Sequence, residues 1–290
     1  MMPLTALGTV RRPRGAVRIG RDTALTIVAL VAVFLFLLPL IWIFTTAFKP
    51  SSELFAIPPH LFPAAPTTSN FGGVFANRDI LHMLANSLLV GVVTTAISLL
   101  LGMPAAFGFA RHRYRFSGPL LGAVLVTRMF PPVALALPFF LEFRQAGLLN
   151  SPAGLIIAYI PIVLPLVIWM LEGFFREFPE ELLEAARLDG LGTIRSLIRI
   201  VLPLSRPAIA VAALFGFLSA WNEFVIALTL ASTPRAQTMP VGIASYVTQF
   251  QTLWGQMTAA SVLYLVPVLI ATLFAQRHII SGLMSGATKG

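Results

Sequence analysis

The sequence predicts an all-α membrane protein with six transmembrane helices and both termini in the cytoplasm. Three observations carry that expectation. Apolar residues make up 57% of the 290 residues and charged residues 11%, with a mean hydropathy of +0.87. A soluble domain carries roughly 25% charged residues, so there is too little charge here to cover a water-facing surface. Six stretches reach the ~20 apolar residues that a membrane-crossing helix needs. Finally, the basic residues lie mostly on one side of those stretches. The absence of Cys excludes a disulfide scaffold and a thiolate metal site.

In chain order the expected spans are Thr23–Phe48, Ala85–Ala110, Phe116–Leu141, Pro152–Leu171, Pro207–Leu230 and Met257–Ala275. The first, second, fourth and sixth contain no charged residue, the third carries Arg128 and the fifth Glu223. The first span is too long for a cleaved signal peptide and is expected to act as a signal anchor. Five arginines precede it, and Arg111, Arg113 and Arg115 follow the second span on the same side. With the segment Glu172–Arg206 and the tail from Gln276, that side holds 15 of the 20 basic residues. The other side holds Lys49, Arg78, Arg144 and Arg235. Such a split places the 15 in the cytoplasm. It also accounts for the net charge of +9 without a nucleic-acid partner.

Prolines interrupt several spans: Pro104; Pro131, Pro132 and Pro138; Pro161 and Pro165; Pro267. Each removes a backbone donor and tends to kink its helix. In a membrane such breaks survive where protein or a water-filled cavity satisfies the freed carbonyls. Three prolines beside Arg128 single out the third span as a candidate pathway-lining helix.

The segment from Glu172 to Arg206, 35 residues, holds 6 of the 11 acids. Pro179-Glu180-Glu181 suits a helix start, with acids at the positive end of its dipole. Leu182, Leu183, Ala185, Ala186 and Leu188 supply apolar surface, and Glu180, Glu184 and Arg187 a polar face. Gly190 and Gly192 interrupt this helix, where a residue without Cβ can take positive φ. Thr193 is expected to cap a second helix with Ile194, Leu197, Ile198 and Val201 on one side, ended by Leu202-Pro203. Two short helices joined by a glycine turn can present a small knob to a cytosolic partner; packing against the ends of the spans would explain the same pattern.

The residues of this loop carry a resemblance. Glu184-Ala185-Ala186, three residues, Gly190, nine residues, then Ile200-Val201-Leu202-Pro203 is similar at every defining position to the EAA motif of bacterial ABC importer permeases. Further segments resemble the smaller permease of carbohydrate importers, of the maltose-transporter type. They are Phe48-Lys49-Pro50 with Glu53 and Phe55, Phe62-Pro63 with Pro66-Thr67 and Asn70-Phe71, Arg128 through Pro132, Trp221-Asn222-Glu223-Phe224, and the tail from Gln276. Phe71 stands where that family suggests Tyr.

The resemblance implies a type I importer permease fold and a coupling helix that docks into an ATPase subunit. Its coupling residues would be Glu184, Ala185, Ala186, Asp189, Gly190, Ile200, Leu202 and Pro203. Residues 1–22 would form a cytoplasmic segment, 23–276 the permease domain with its coupling loop at 172–206, and 277–290 a cytoplasmic tail. The implied partners are a second permease, two ATPase subunits, an extracytoplasmic sugar-binding protein and the bilayer. ATP and Mg would sit on the ATPase. The chain itself has no G-x-x-x-x-G-K-[ST] loop, since neither Lys49 nor Lys289 follows glycine.

Glu223, about 16 residues beyond Pro207, is expected roughly 24 Å along the fifth helix at ~1.5 Å per residue. A charge in a span costs on the order of 2.5–3.5 kcal/mol and should face protein or water. Trp221, Asn222, Glu223 and Arg128 are the candidate path residues. Glu223 fits either a sugar contact or an interhelical polar contact. Arg128 lies at a different expected depth, which favours snorkelling or a partner on another subunit over a pair with Glu223. In the outer loop, Tyr246, Phe250 and Trp254 have the spacing of one helical face, and an interfacial aromatic belt explains them equally well. The four histidines are scattered singly, without metal-ligand spacing. Competing functions are a secondary transporter or channel for a small polar solute, and a membrane enzyme. The first lacks convincing repeats, and the second lacks a zinc-binding or nucleophile-elbow motif.

Overall fold

The computed structural model describes residues 14–111 and 116–287, and among them every regular element is helical. Four long helices are apolar enough to cross a membrane. They belong to α1 (Arg14–Ala47), α3 (Arg78–Arg111), α6 (Pro152–Arg176) and α13 (Trp254–Ala287), with the short α2 (Ser69–Ala76) between the first two. The helices run through Pro39, Pro104, Pro161, Pro165 and Pro267 without ending. Arg11, Arg12, Arg113, Arg115 and Lys289, on which part of the charge asymmetry rests, lie outside the described residues.

The third expected span is not one kinked helix. It is α4 (Ser117–Val126) with a 3₁₀ turn at Thr127–Met129, followed by α5 (Pro132–Gln145) at 90°. The cause is local: Phe130 and Pro131 each precede a proline, which pushes both out of the helical region. They are accordingly extended, with ψ of 122° and 136°. At ~1.5 Å per residue, 14 residues give α5 about 21 Å, short of the ~30 Å hydrocarbon core.

The fifth expected span also breaks. Helix α10 (Arg206–Trp221) stops, and after three residues α11 (Val225–Leu230) begins. Before α10 come α7 (Glu180–Leu188), α8 (Thr193–Ser196), a π-helical turn at Leu197–Val201 and α9 (Leu202–Leu204). The stretch 193–204 meets α10 at 83°. Pro203 therefore does not end the second helix of the loop. The wider π turn lies just before it, where the proline ring would otherwise meet the carbonyl four residues back. The chain turns instead at Ser205.

The core is built where α3, α6 and α10 meet. Small residues make the approach close. A Cβ on Gly102 would fall 2.8 Å from Val167 Cγ1, and one on Gly216 would fall 3.2 Å from Val163 Cγ1. Buried Ser87, Gly91, Thr94, Ser98 and Ala106 continue the same stripe along α3, as expected where helices associate by close packing. A second cluster joins the end of α1, α2, α12 (Met239–Ala244) and the start of α13 around Ala47, Val74, Met83 and Met239. Helix α1 is exposed on all sides from Thr23 to Pro39.

The outer loop after α12 is not a helical face. Tyr246 is buried, whereas Phe250 is 94% exposed at the tip of a turn closed by an antiparallel bridge between Val247 and Thr252.

Replacing Gly102 with leucine is expected to overpack the α3–α6 contact and cost about 1–3 kcal/mol. Gly108, whose Cβ would meet nothing within 4 Å, is the control. Thermal unfolding in detergent should fall clearly for Gly102→Leu and hardly for Gly108→Ala.

Candidate functional site

The cytoplasmic knob is closed by backbone hydrogen bonds. Helix α7 ends with Gly190 at φ +78°. Its N–H donates to Arg187 O at 3.0 Å, and the next N–H, of Leu191, donates to Ala186 O at 2.9 Å. This pair is the Schellman closure that glycine permits, and it satisfies two end carbonyls. No atom lies within 4 Å of the position of a Cβ on Gly190. The requirement for glycine there is therefore conformational and not steric.

The knob has two faces. Leu183, Ala186, Leu197 and Val201 are buried, and the three large ones join the same core as α3, α6 and α10. Arg111 at the end of α3 donates to the carbonyl of Phe178, and its guanidinium carbon lies 6.0 Å from the Phe178 ring centroid. A cavity of about 120 Å³ separates the knob from α3, lined by Phe107, Arg111, Leu183, Arg187, Leu191 and Ser196 among others. Outward face Glu184, Ala185, Asp189 and Gly190, with Leu188 90% exposed and Ile194 and Ile198 also open. Of the remaining motif residues, Ile200 and Leu202 are half-buried and Pro203 is exposed.

The second group of candidate residues sits at the break after α10. Glu223 is 8% exposed. Its Oε1 accepts from Ile226 N at 2.9 Å and its Oε2 from Ala227 N at 3.0 Å. In an unbroken helix these two amides would bond to the carbonyls of residues 222 and 223. The carboxylate replaces those carbonyls, which is how the chain stops one helix and starts another inside the protein. Tyr159 brings its hydroxyl near the Glu223 carboxylate and Thr238.

Trp221 is covered within the chain. Its ring stacks on Tyr264 at 4.8 Å and contacts Phe217 at 5.1 Å, and Tyr264 donates its hydroxyl to the Trp221 carbonyl. Asn222 is exposed and donates to Leu218 O at 2.9 Å. Arg128 lies exposed in the turn of the broken third span. Residues 221–223 are thus contiguous at one junction, and Arg128 belongs to a different break. Among the described residues the ion pair is between Glu172 and Arg176, not between Arg128 and Glu223.

Asn150 was not singled out by the sequence. With φ +53° it turns the chain into α6. Its Oδ1 accepts from Ser232 N at 2.6 Å and Thr233 N at 3.1 Å, and its own N–H donates to Leu230 O at 2.9 Å. This fastens the end of the α5 segment to the end of α11, which packs on α5. Asn150-Ser151-Pro152 reads locally as a helix start, and Ser151 does cap α6. Nothing local encodes bonds to residues some 80 positions away.

Interrupted apolar helices around a packed three-helix core, with a glycine-closed knob on that core, define a membrane-embedded helical protein. The chain belongs to the family of binding-protein-dependent transport system inner membrane components, whose profile matches residues 98–283. It is 38% identical to the trehalose transport system permease protein SugB of Mycobacterium tuberculosis, covering 88% of this chain and 93% of that one. It is 35% identical to the trehalose/maltose transport system permease protein MalG of Thermococcus litoralis, covering 92% and 96%. A chain in the crystal structure of a bacterial ABC transporter that imports the acidic polysaccharide alginate superposes with a TM-score of 0.75 at 22% identity, covering 93% of this chain and 99% of that one. The fold is that of an importer permease, and the chain is a multi-pass inner-membrane protein.

Glu223→Ala would leave two buried amides without acceptors, at about 1–3 kcal/mol for each unsatisfied group. Hydrogen exchange at Ile226 and Ala227 should accelerate strongly, while exchange in the middle of α10 stays unchanged. Exchange as slow as in the unaltered protein would show that the carboxylate does not hold this break.

Proposed function

We propose that this chain is one of two permease subunits of an ATP-driven importer for a carbohydrate, a di- or oligosaccharide. The observation that supports this most is the continuity of the knob with the bundle core. Leu183, Leu197 and Val201 pack into the cluster that contains Val163, Val167 and Ala212 of α6 and α10. A push on the exposed face of the knob is therefore delivered to the helices that cross the membrane. The relatives named for trehalose and maltose support the sugar class.

In this reading the exposed face around Glu184, Leu188 and Gly190 docks on one of two ATPase subunits, which hold ATP and Mg. Closure of the ATPase pair moves the knobs, and the bundle switches between inward-facing and outward-facing states. An extracytoplasmic binding protein delivers the sugar. The second permease is a different chain of the same fold, so the assembly is a heterodimer of permeases. Asn222 and Arg128 are exposed and serve as path residues. Trp221 and Glu223, both buried, act from behind by holding the α10–α11 junction.

Glu184→Lys and Gly190→Trp are expected to leave membrane insertion intact and to uncouple ATP hydrolysis from transport. Both quantities are measured on the reconstituted complex, with trehalose and maltose among the sugars offered. Leu188→Asp should weaken co-purification with the ATPase about tenfold, as loss of a buried interface anchor does. Normal sugar uptake by the Glu184 and Gly190 variants would overturn the coupling role. Transport by this chain without any ATPase would favour the secondary transporter or channel.

A further inference from the structure

The segment between α1 and α2 is a rigid loop whose apolar side chains face outward. Its ends are tied, with Thr67 N donating to Phe48 O at 2.9 Å. Glu53 spans the loop, its two carboxylate oxygens accepting from Ala64 N at 2.8 Å and Ala65 N at 3.0 Å. Lys49 is buried, donates its ammonium to the carbonyl of His60 and sits 4.4 Å from the Trp42 ring centroid. Asn70 donates to the carbonyls of Ala47 and Lys49, both at 2.9 Å, which fixes the loop to the end of α1. Every charged group of the loop is thus engaged in holding its shape.

The part left facing outward carries no Asp, Glu, Lys or Arg from Leu54 to Pro66, and the side chain of His60 is the one titratable group exposed there. Phe55 and Phe62 are largely exposed and Ile57 is 96% exposed. A water-facing loop of this length ordinarily carries charged side chains, and large exposed apolar side chains gathered in one loop mark an interaction site.

The level of that surface relative to the bilayer can be read from its neighbours. Leu54 and Phe55 share a small pocket with Trp42, Thr46, Lys49 and Trp254. Trp42 lies just before the end of α1 and Trp254 opens α13, and both are partly exposed. Tryptophans at the ends of membrane-crossing helices sit at headgroup level. Phe55 therefore lies at the depth marked by two tryptophans on two different spans, beside the exposed apolar shaft of α1.

We propose that the loop 50–66 is a monotopic anchor, which lays Phe55, Ile57 and Phe62 into the outer leaflet of the bilayer next to α1. The occupant of this surface is lipid, continuous with the lipid around α1. Its tethers to Glu53 and Lys49 hold it flat, so the three side chains enter the leaflet without an ordering cost at each contact. Anchoring at this outer face is independent of the sugar and of coupling to ATP.

The test exploits the absence of cysteine from this chain. Ile57→Cys, Phe62→Cys and, as an exposed control, Arg235→Cys are labelled with an environment-sensitive fluorophore. The assembled transporter, its partner subunits freed of cysteine, is placed in nanodiscs of phosphatidylethanolamine and phosphatidylglycerol containing a lipid with a nitroxide on its acyl chain. Insertion to roughly 5–10 Å predicts lipid-borne quenching about threefold stronger at 57 and 62 than at 235, with weak quenching by aqueous iodide. That pattern, unchanged on adding the binding protein, is the expected result. Free access of iodide to both sites, lost only when the binding protein is added, would overturn the proposal in favour of a protein-docking surface. Shielding from lipid and iodide alike in the assembled complex would overturn it in favour of cover by a partner subunit.

Discussion

Everything else in the molecule hangs on the close approach of α3, α6 and α10. Gly102 and Gly216 let backbones come within reach of Val167 and Val163, and the hydrophobic effect cannot supply this association inside lipid. Dispersion between well-fitted surfaces has to do so, which is why small residues are placed there. The knob joins this packing through Leu183, Leu197 and Val201. The second cluster, around Met83 and Met239, uses the other end of α3. One helix therefore links the outer loops to the cytoplasmic surface.

The broken helices meet a second demand, that no backbone group inside the membrane be left without a partner. It is met at the break after α10, and helix ends beyond the breaks meet the same demand in their own ways. Glu223 lends two carboxylate oxygens to the start of α11. Gly190 closes α7 by its own backbone. Ser151 caps α6 by accepting from Gly154 N at 3.0 Å. At residue 223 the burial of an acid, costly by itself, is the means by which a turn is tolerated.

How much of this the sequence disclosed depended on whether the signal was local. Six apolar stretches and the glycine-closed loop were legible because length, charge and a positive-φ glycine are properties of neighbouring residues. The two breaks were not, because counts of apolar residues do not register direction. The first break was nonetheless written in Phe130-Pro131-Pro132, where two successive residues precede proline. The second depended on Glu223 folding back on its own chain three and four residues later, and an acid in a span suggests a ligand before it suggests a cap. The exposed turn at Phe250 escaped because four-residue spacing imitates a helix. Asn150 escaped because its partners are distant in sequence.

Asn150 has a mechanical meaning. The two segments it joins, α5 and α11, come from two different interrupted spans, and its side chain and backbone rivet the end of one to the end of the other. Two half-helices are thus fastened into one unit, bounded by the break at residues 130–131 on one edge and the break at 222–224 on the other.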